Sequence, residues 1–354
     1  MLRILHLSPE HYTNTLKLLT EWHRRQGHYA RYVTFYDSHK GYPEDICLNL
    51  PFCGYSILTR WLIKKFRHEE YYLKNSDCLR FWKPRNVFFS FLFKLREQLW
   101  RVRLLFFFGR FPFFSFDIYF FHAGVEFFRD GRTLRKLKER KKILVTFYHG
   151  TDVRNRGIIE SVESQSDLSL TCELDHLQLY PKLKYVFLPV DHFRFVEKKF
   201  ENRTLVLGHA PTKRHFKGSD FIIKVCEELV LEKGIVFLLI ENKPYTEALS
   251  LKQNCDIFID QVGDRGGWGY GMNALESLSM GIITCTYLNP TYAAFIPDHP
   301  FVNVNEDSLK DQLTRLIDQP QLRKKYQARS RPWVEQYHGV SNVLNKIYQL
   351  LNIS

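Results

Sequence analysis

The sequence has no C-x-x-C pair, and its seven cysteines are scattered and odd in number, which argues against a disulfide framework and a cysteine-based metal site. It has no stretch of eighteen uninterrupted apolar residues, and its opening apolar run is too short for a signal peptide. The nearest approach, LLFFFGRFPFFSFDIYFF, is interrupted by Arg110, Pro112 and Asp117. We therefore predict a cytoplasmic protein with free thiols.

Several catalytic motifs are also missing. The chain contains no H-E-x-x-H, no G-x-S-x-G and no G-x-x-x-x-G-K-[ST], which argues against a zinc protease, a serine hydrolase and a P-loop enzyme. Asp256 and Asp260 lie four residues apart on a segment that is predicted to be a buried strand. We expect no metal site and no cofactor.

Basic residues clearly outnumber acidic residues only in the first part of the chain. Residues 1–200 contain 34 Lys and Arg against 21 Asp and Glu, whereas residues 201–354 contain 17 of each, so the net charge of +13 belongs to the first part. This asymmetry in 354 residues predicts two domains with different partners. We place them at 1–200 and 201–338, and expect a C-terminal helix, about 339–354, to pack back on the first.

Strands and helices alternate along both parts. LRILHLS, ARYVTFY, FDIYFFH and KILVTFYHG read as strands of the first domain, and TLVLGHA, IVFLLIE, CDIFID and IITCTY as strands of the second, with helical patterns between them. The pattern predicts an α/β protein with two Rossmann-like doubly wound domains facing a cleft. Within NVFFSFLFKLREQLWRV, Phe88, Leu92, Leu95, Leu99 and Val102 share one face of an amphipathic helix and Ser90, Lys94, Glu97 and Arg101 the other.

A glycine-rich stretch, GGWGYGMNALESLSMG, joins the predicted strand CDIFID to a helix. Glycines let backbone N–H groups approach a ligand, and a helix N-terminus favours an anion. We predict that Glu276 lies in the first turn, exposed, where its carboxylate can accept two ribose hydroxyls. The simpler alternative is a glutamate that only favours the helix dipole.

Two other strand ends carry polar clusters. HAPTKRHFKGSD brings Lys213, Arg214 and Lys217 to one strand end, which suggests a diphosphate clamp or, equally, a solvated basic turn. In FYHGTDVRNRG, His149 closes a buried strand ahead of further polar residues. A lone histidine is usually structural, but at a strand's carboxyl end it is a better site candidate than most.

These three segments, in this order, resemble the GT-B glycosyltransferases, and most of all the retaining family 4 group (glycosyl transferases group 1). The resemblance covers the whole chain, least over residues 40–115. It implies transfer of a sugar, such as a hexose, from a nucleotide-diphosphate donor to an acceptor hydroxyl. It implies the following donor-binding residues in the second domain: Glu276, Gly269, Tyr270, Gly271, Met272 and Asn273. It gives His149, Arg214 and Lys217 catalytic roles, and places Asn14, Thr15, Asp152 and Arg154 on the acceptor side.

The sequence departs from the family pattern at two positions. Many relatives have an acid eight residues before the ribose-binding glutamate, where this chain has Trp268. Asn14 stands where relatives often have glycine after the first strand, which would narrow the acceptor site.

The expected function is therefore metal-independent glycosyl transfer in glycan, polysaccharide or glycolipid synthesis. The alternatives are a non-catalytic sugar-nucleotide-binding module and a sugar-nucleotide epimerase. No nucleic-acid recognition motif accompanies the charge. The aromatic and basic stretch 51–142, including Lys64, Lys65 and Arg67, predicts a peripheral anionic-membrane surface on the first domain, with a solvated shell over an aromatic core as the alternative.

Overall fold

A computed structural model describes residues 1–11, 14–38, 41–53, 81–84, 86–150, 152–199 and 201–353. The chain divides into two compact units. Unit 1 comprises Met1–Val186 together with Leu344–Ser354, and unit 2 comprises Phe187–Val343. The last helix, Val340–Leu350, therefore begins in unit 2 and ends in unit 1.

Unit 1 is built on a seven-stranded parallel sheet in the order β3-β2-β1-β4-β5-β6-β7. Buried apolar runs form its central strands, as expected of a parallel sheet that is covered on both faces. The strands are β1 Arg3–Ser8, β2 Tyr29–Thr34, β3 Ile46–Cys47, β4 Ile118–His122, β5 Ile143–Tyr148, β6 Leu168–Thr171 and β7 Lys184–Tyr185. The helices are α1 Thr15–Arg25, α2 Val87–Arg110, α3 Arg132–Glu139, α4 Glu160–Glu163 and α5 Asp175–Leu179.

Short helical segments also occur in unit 1, a 3-10 turn at Phe113–Ser115 and a π-helical turn at Asp152–Arg156. The core of the unit is rich in aromatic side chains from α2, the 3-10 turn, β4 and the segment that follows β4. Among them are Phe113, Phe121 and Phe127. Much of the phenylalanine in the first half of the chain is therefore core.

The orientation of α2 differs from what an amphipathic pattern normally produces. Its buried side is formed by Glu97, Trp100 and Leu104, while the apolar face that includes Phe88 and Val102 is exposed. Glu97 accepts a hydrogen bond from the backbone N–H of Arg129 (3.0 Å), which satisfies one oxygen of this buried carboxylate.

Unit 2 contains a five-stranded parallel sheet in the order β12-β11-β10-β8-β9. The strands are β8 Val206–His209, β9 Val236–Leu239, β10 Ile257–Ile259, β11 Ile283–Thr286 and β12 Val302–Asn303. The helices are α6 Arg214–Lys217, α7 Ser219–Lys233, α8 Tyr245–Gln253, α9 Met272–Ser279, α10 Pro290–Phe295, α11 Leu309–Asp318 and α12 Pro320–Trp333. A 3-10 turn spans His192–Arg194, a π-helical turn spans Val334–His338, and the helix that begins in this unit is α13, Val340–Leu350.

The predicted α/β class and the two Rossmann-like domains are confirmed. None of the helices in the described part of the chain is long and apolar enough to cross a membrane. The six cysteines that the structure describes are free thiols.

Candidate functional site

The glycine-rich stretch of unit 2 forms the loop between β10 and α9, and its backbone conformation is fixed by contacts at Gly269. Gly269 has φ +75°, and a Cβ atom there would lie 2.5 Å from the ring of Tyr292, so only glycine fits without strain. The Gly269 N–H donates to Oδ1 of Asp264 (3.2 Å), and its carbonyl accepts from Nε2 of Gln261 (2.6 Å). Both backbone groups of this glycine are thus bound to side chains that precede it.

Glu276 does not lie where the sequence predicted. Helix α9 begins at Met272, so Glu276 is its fifth residue, beyond the first turn, and is only 6% exposed. The prediction of an exposed first-turn carboxylate is wrong. The apolar pattern begins at Ala274, but the helix itself starts two residues earlier, so Glu276 lies in its second turn. Ala274 and Leu278 are buried, as their place on the opposite side of the helix predicted.

A buried lysine accounts for the position of Glu276. Nζ of Lys252, at the end of α8, lies 2.6 Å from Oε2 of Glu276 and 2.5 Å from Oδ1 of Asn273, and also donates to the Asn273 carbonyl (3.2 Å). These three acceptors match the three N–H donors of an ammonium group. The hydroxyl of Tyr245 donates to Oε1 of Glu276 (3.0 Å). Lys252 is 2% exposed, so this is a buried and fully hydrogen-bonded ion pair.

Lys217 is connected to the same network through Asp260, the residue after β10. Its Nζ lies 2.8 Å from Oδ1 of Asp260 and 2.9 Å from Oε1 of Gln261. Asn273 donates to the same Asp260 oxygen (3.2 Å) and to the carbonyl of Ala210 (3.1 Å), after β8. The structure therefore brings Lys217, Asn273 and Glu276 into one hydrogen-bonded network at the carboxyl ends of β8 and β10.

Arg214, at the start of α6, has a different partner. Its guanidinium makes two hydrogen bonds to the carboxylate of Glu241, at 2.7 and 2.6 Å, and these bonds lower the pKa of that carboxyl. Lys213 lies with its Nζ 5.4 Å from the ring centre of Phe216. The three cations predicted to form one clamp therefore point to three different neighbours.

His149 of unit 1 lies directly after β5 and belongs to a row of three histidines. Nδ1 of His6 lies 3.0 Å from Nε2 of His122, and Nδ1 of His122 lies 3.0 Å from Nε2 of His149. The rings of His122 and His149 are 2° from parallel, with their centres 5.3 Å apart, which suits an in-plane hydrogen bond. On the other side of His149, Sγ of Cys172 lies 3.9 Å from Nδ1.

The register of the sheet produces this row. His6 of β1 pairs with Phe120 of β4, and His122 lies two residues further along β4, on the same face. His122 pairs with Phe147 of β5, and His149 lies two residues after Phe147 along the chain. Three histidines offset by two residues on adjacent strands must therefore form a diagonal on one face.

The rings of this row are neutral at neutral pH. Burial, with a smaller contribution from the charge of His176, lowers the pKa of His149 to about 4, and burial holds the pKa of His6 and His122 far below 6.5. A neutral imidazole has one N–H, so the two bonds require all three rings to donate in the same direction. The tautomer of His149 is thereby coupled to that of His6.

The other predicted acceptor-side residues of unit 1 are held in place by their own partners. Oδ2 of Asp152 accepts the backbone N–H of His149 (2.8 Å), and burial raises the pKa of Asp152. Arg154 pairs with Glu173 and, at 2.7 Å, with Asp175. Its guanidinium is therefore bound by two carboxylates.

Asn14 and Thr15 lie at the start of α1. Asn14 has φ +60°, the left-handed conformation that asparagine tolerates better than most residues. Its buried Oδ1 has no hydrogen-bond partner among the described residues, and Thr15 is buried.

The sequence did not identify several residues of these networks, among them Lys252, Asp260, His6 and His122. The two histidines had a signal, because each lies in a predicted strand, His6 in LRILHLS and His122 in FDIYFFH. Lys252 had none, since its contact with Glu276 depends on how α8 packs beside α9. In the described residues, no group of three or more histidine, cysteine or acidic side chains is arranged to hold a metal ion.

Comparison with known proteins finds similarity at the level of structure. No protein-family model matches the sequence, and no curated protein matches it. Sucrose-phosphate synthase from Thermosynechococcus elongatus is similar over 99% of this chain and 98% of its own, with TM-score 0.64 and 10% identity. Anabaena HepE, solved with UDP-glucose, is similar over 99% and 100%, with TM-score 0.56 and 10% identity. A structure named as a putative UDP-N-acetylglucosamine 2-epimerase from Listeria monocytogenes is similar over 99% and 96%, with TM-score 0.54 and 10% identity.

Proposed function

We propose that this chain, whose likeness to these structures shows the GT-B fold, is a glycosyltransferase that uses a nucleotide-diphosphate sugar as donor. The observation that supports this most is the network in unit 2. It joins Lys217, the proposed diphosphate ligand, to Glu276, the proposed ribose ligand, through Asp260 and Asn273. It lies at the carboxyl ends of parallel strands, the usual ligand side of a doubly wound sheet.

Each donor group has a candidate partner in unit 2. The Glu276 carboxylate would accept the ribose hydroxyls, with Lys252 and Tyr245 holding it in position. Lys217 uses two of its three N–H donors on Asp260 and Gln261, and the third would reach a diphosphate oxygen. The backbone of Gly269 to Asn273 would contact the transferred sugar.

The proposed reaction breaks the bond between the sugar and the diphosphate and forms a bond from the same anomeric carbon to an acceptor oxygen. Lys217 and Arg214 would stabilise the negative charge that develops on the leaving diphosphate, so we propose a metal-independent reaction. Since no carboxylate nucleophile was recognised in the sequence, we propose that a leaving-phosphate oxygen takes the acceptor proton during front-face attack. Configuration at the anomeric carbon would then be retained.

Unit 1 would bind the acceptor, a glycan or a lipid-linked glycan, through the segments at Asn14 and Thr15 and at Asp152 and Arg154. His149, the catalytic candidate of unit 1, would act as a neutral hydrogen-bonding group, because its lowered pKa leaves it uncharged at neutral pH. We place this chemistry in the cytoplasm, at the inner face of the membrane, in polysaccharide or glycolipid synthesis.

A thermal-shift screen of UDP-, GDP- and ADP-sugars tests the donor site. A ligand that binds only the native protein raises its melting temperature, and a concentration 100 times Kd contributes about 2.7 kcal/mol. We expect one nucleotide class to raise it and the Lys217→Met variant to lose most of that shift. Lys213→Met, whose cation faces Phe216, is the matched control and should keep it. If every nucleotide sugar leaves the melting temperature unchanged, the donor site is wrongly assigned.

A further inference from the structure

Helix α2 presents an apolar stripe to solvent along its whole length. Six residues form this stripe, spaced by three or four positions as one helical face requires: Phe88, Phe91, Leu95, Leu99, Val102 and Phe106. Their exposed fractions run from 45% for Leu99 to 65% for Phe106. A helix of 24 residues is about 36 Å long, so the stripe is far larger than the single exposed apolar residues that are normal on a protein surface.

The opposite side of α2 fixes the direction of the stripe. Trp100 is buried and donates from Nε1 to the carbonyl of Pro51 (2.8 Å), and Leu104 is 1% exposed. The guanidinium carbon of Arg96 lies 4.4 Å from the ring centre of Trp100. Because these contacts hold the helix by its other side, rotation that would bury the stripe would remove them.

Exposed cations border the stripe on both sides. At 100° per residue, Lys94 and Arg101 fall along one edge of the stripe, and Arg103 and Arg110 along the other. The single acidic residue of α2, Glu97, lies on the buried side. The exposed surface of this helix is therefore apolar along its centre and positive at both margins.

This charge pattern selects the partner. In a second copy packed stripe to stripe, the cations at the margins would meet cations. A bilayer that contains anionic lipid suits both the apolar stripe and the cations at its margins. The apolar residues would enter the boundary between headgroups and acyl chains, while lysine and arginine would contact the lipid phosphates. We infer that α2 is an interfacial helix that docks unit 1 on an anionic membrane surface. This inference deepens the membrane placement in the proposed function, because it names the helix that binds the surface, and it holds whether or not the chain transfers a sugar. Lys64, Lys65 and Arg67, predicted from the sequence to contribute, lie outside the described residues.

Co-sedimentation of the full chain with vesicles tests the inference. The vesicles are phosphatidylcholine alone or phosphatidylcholine with phosphatidylglycerol, at low and high salt. We expect binding to the anionic vesicles, weakened as salt rises. The Phe91→Glu/Val102→Glu variant should bind at least about 100-fold more weakly, because charges in the stripe must be desolvated. The Arg101→Gln/Arg103→Gln variant should bind about 30-fold more weakly at low salt.

The matched control is Leu231→Glu, which changes an even more exposed apolar residue on α7 of unit 2 and should bind vesicles as the unmodified chain does. Circular dichroism and melting temperature establish that each variant folds. Nucleotide-sugar thermal shifts of the same proteins should be unchanged, which separates this inference from the donor site. Equal binding by the Phe91→Glu/Val102→Glu variant, equal binding to neutral and anionic vesicles, or no binding would overturn it. So would a concentration-dependent oligomer, in ultracentrifugation without vesicles, that the same variant abolishes.

Discussion

Removing the Glu276 carboxylate should destabilise unit 2 as well as weaken donor binding. In Glu276→Ala the ammonium of Lys252, 2% exposed, would lose its ionic partner and keep only Asn273 as an acceptor. Breaking a buried ion pair by removing one partner typically costs about 3–5 kcal/mol. For a unit of this size, each kcal/mol lowers the melting temperature by roughly 2–4 °C, so we expect a decrease of about 6–20 °C.

Urea unfolding of a double-mutant cycle measures this effect. Glu276→Ala and Lys252→Met are compared with each other and with Lys252→Met/Glu276→Met, which removes both charges and should recover much of the loss. The control is Glu247→Ala, because Glu247 of α8 forms an exposed ion pair with Lys243. It should change the free energy of unfolding by less than about 0.5 kcal/mol. A loss below about 1 kcal/mol in Glu276→Ala, or a double variant no more stable than it, would refute the reasoning. If the double variant folds, its donor affinity then tests the ribose role separately.

Three further predictions follow from the network and the histidine row. Lys217→Ala and Arg214→Ala should each lower turnover by roughly 10²–10³, measured in steady-state kinetics, and an unchanged kcat would remove either cation from the mechanism. Stability should fall as pH drops from 6.5 towards 4, because buried neutral histidines such as His149 (pKa about 4) take up protons on unfolding. Each such histidine can lower the free energy of unfolding by up to about 1.4 kcal/mol per pH unit. Glu126, whose pKa is raised to about 8 by burial, opposes this, so the test is whether His149→Gln reduces the slope of unfolding free energy against pH. ¹⁵N NMR should find His149 protonated at Nδ1, since the reverse direction would leave a buried N–H of His6 without a described partner, and protonation of His149 at Nε2 would contradict this direction.

Much of the fold could be predicted from local pattern. Helix α7, Ser219–Lys233, has ends that the sequence marks, because glycines with positive φ stand on both sides of it, Gly218 and Gly234. Strand β4 was predictable because the buried run IYFFH suits a central parallel strand. Of the apolar run YVFLPV only Tyr185 joins a strand, Lys184–Tyr185, which pairs with β6 at the edge of the sheet.

What the pattern could not predict depends on packing between elements. Periodicity shows which residues of α2 share a face but not which face turns inward, and the three deeply buried side chains of that helix include Glu97. The burial of Glu276 follows from Lys252, 24 residues earlier on another helix. The roles assigned to Glu276, Lys217, Arg214 and His149 stay predictions, and their neighbours now define how each can be tested.

The most direct test of glycosyl transfer is a ¹H NMR time course of the anomeric proton of the donor that the thermal-shift screen selects. It should be run with and without a glycan acceptor, and with EDTA in a parallel sample. For a retaining, metal-independent transfer we expect loss of the donor signal, release of the nucleoside diphosphate, and a new anomeric signal of the same configuration, unaffected by EDTA. An epimerised but intact nucleotide sugar, or a donor unchanged at every enzyme concentration, would contradict it, and loss of activity in EDTA restored by Mn²⁺ would contradict its metal-free mechanism.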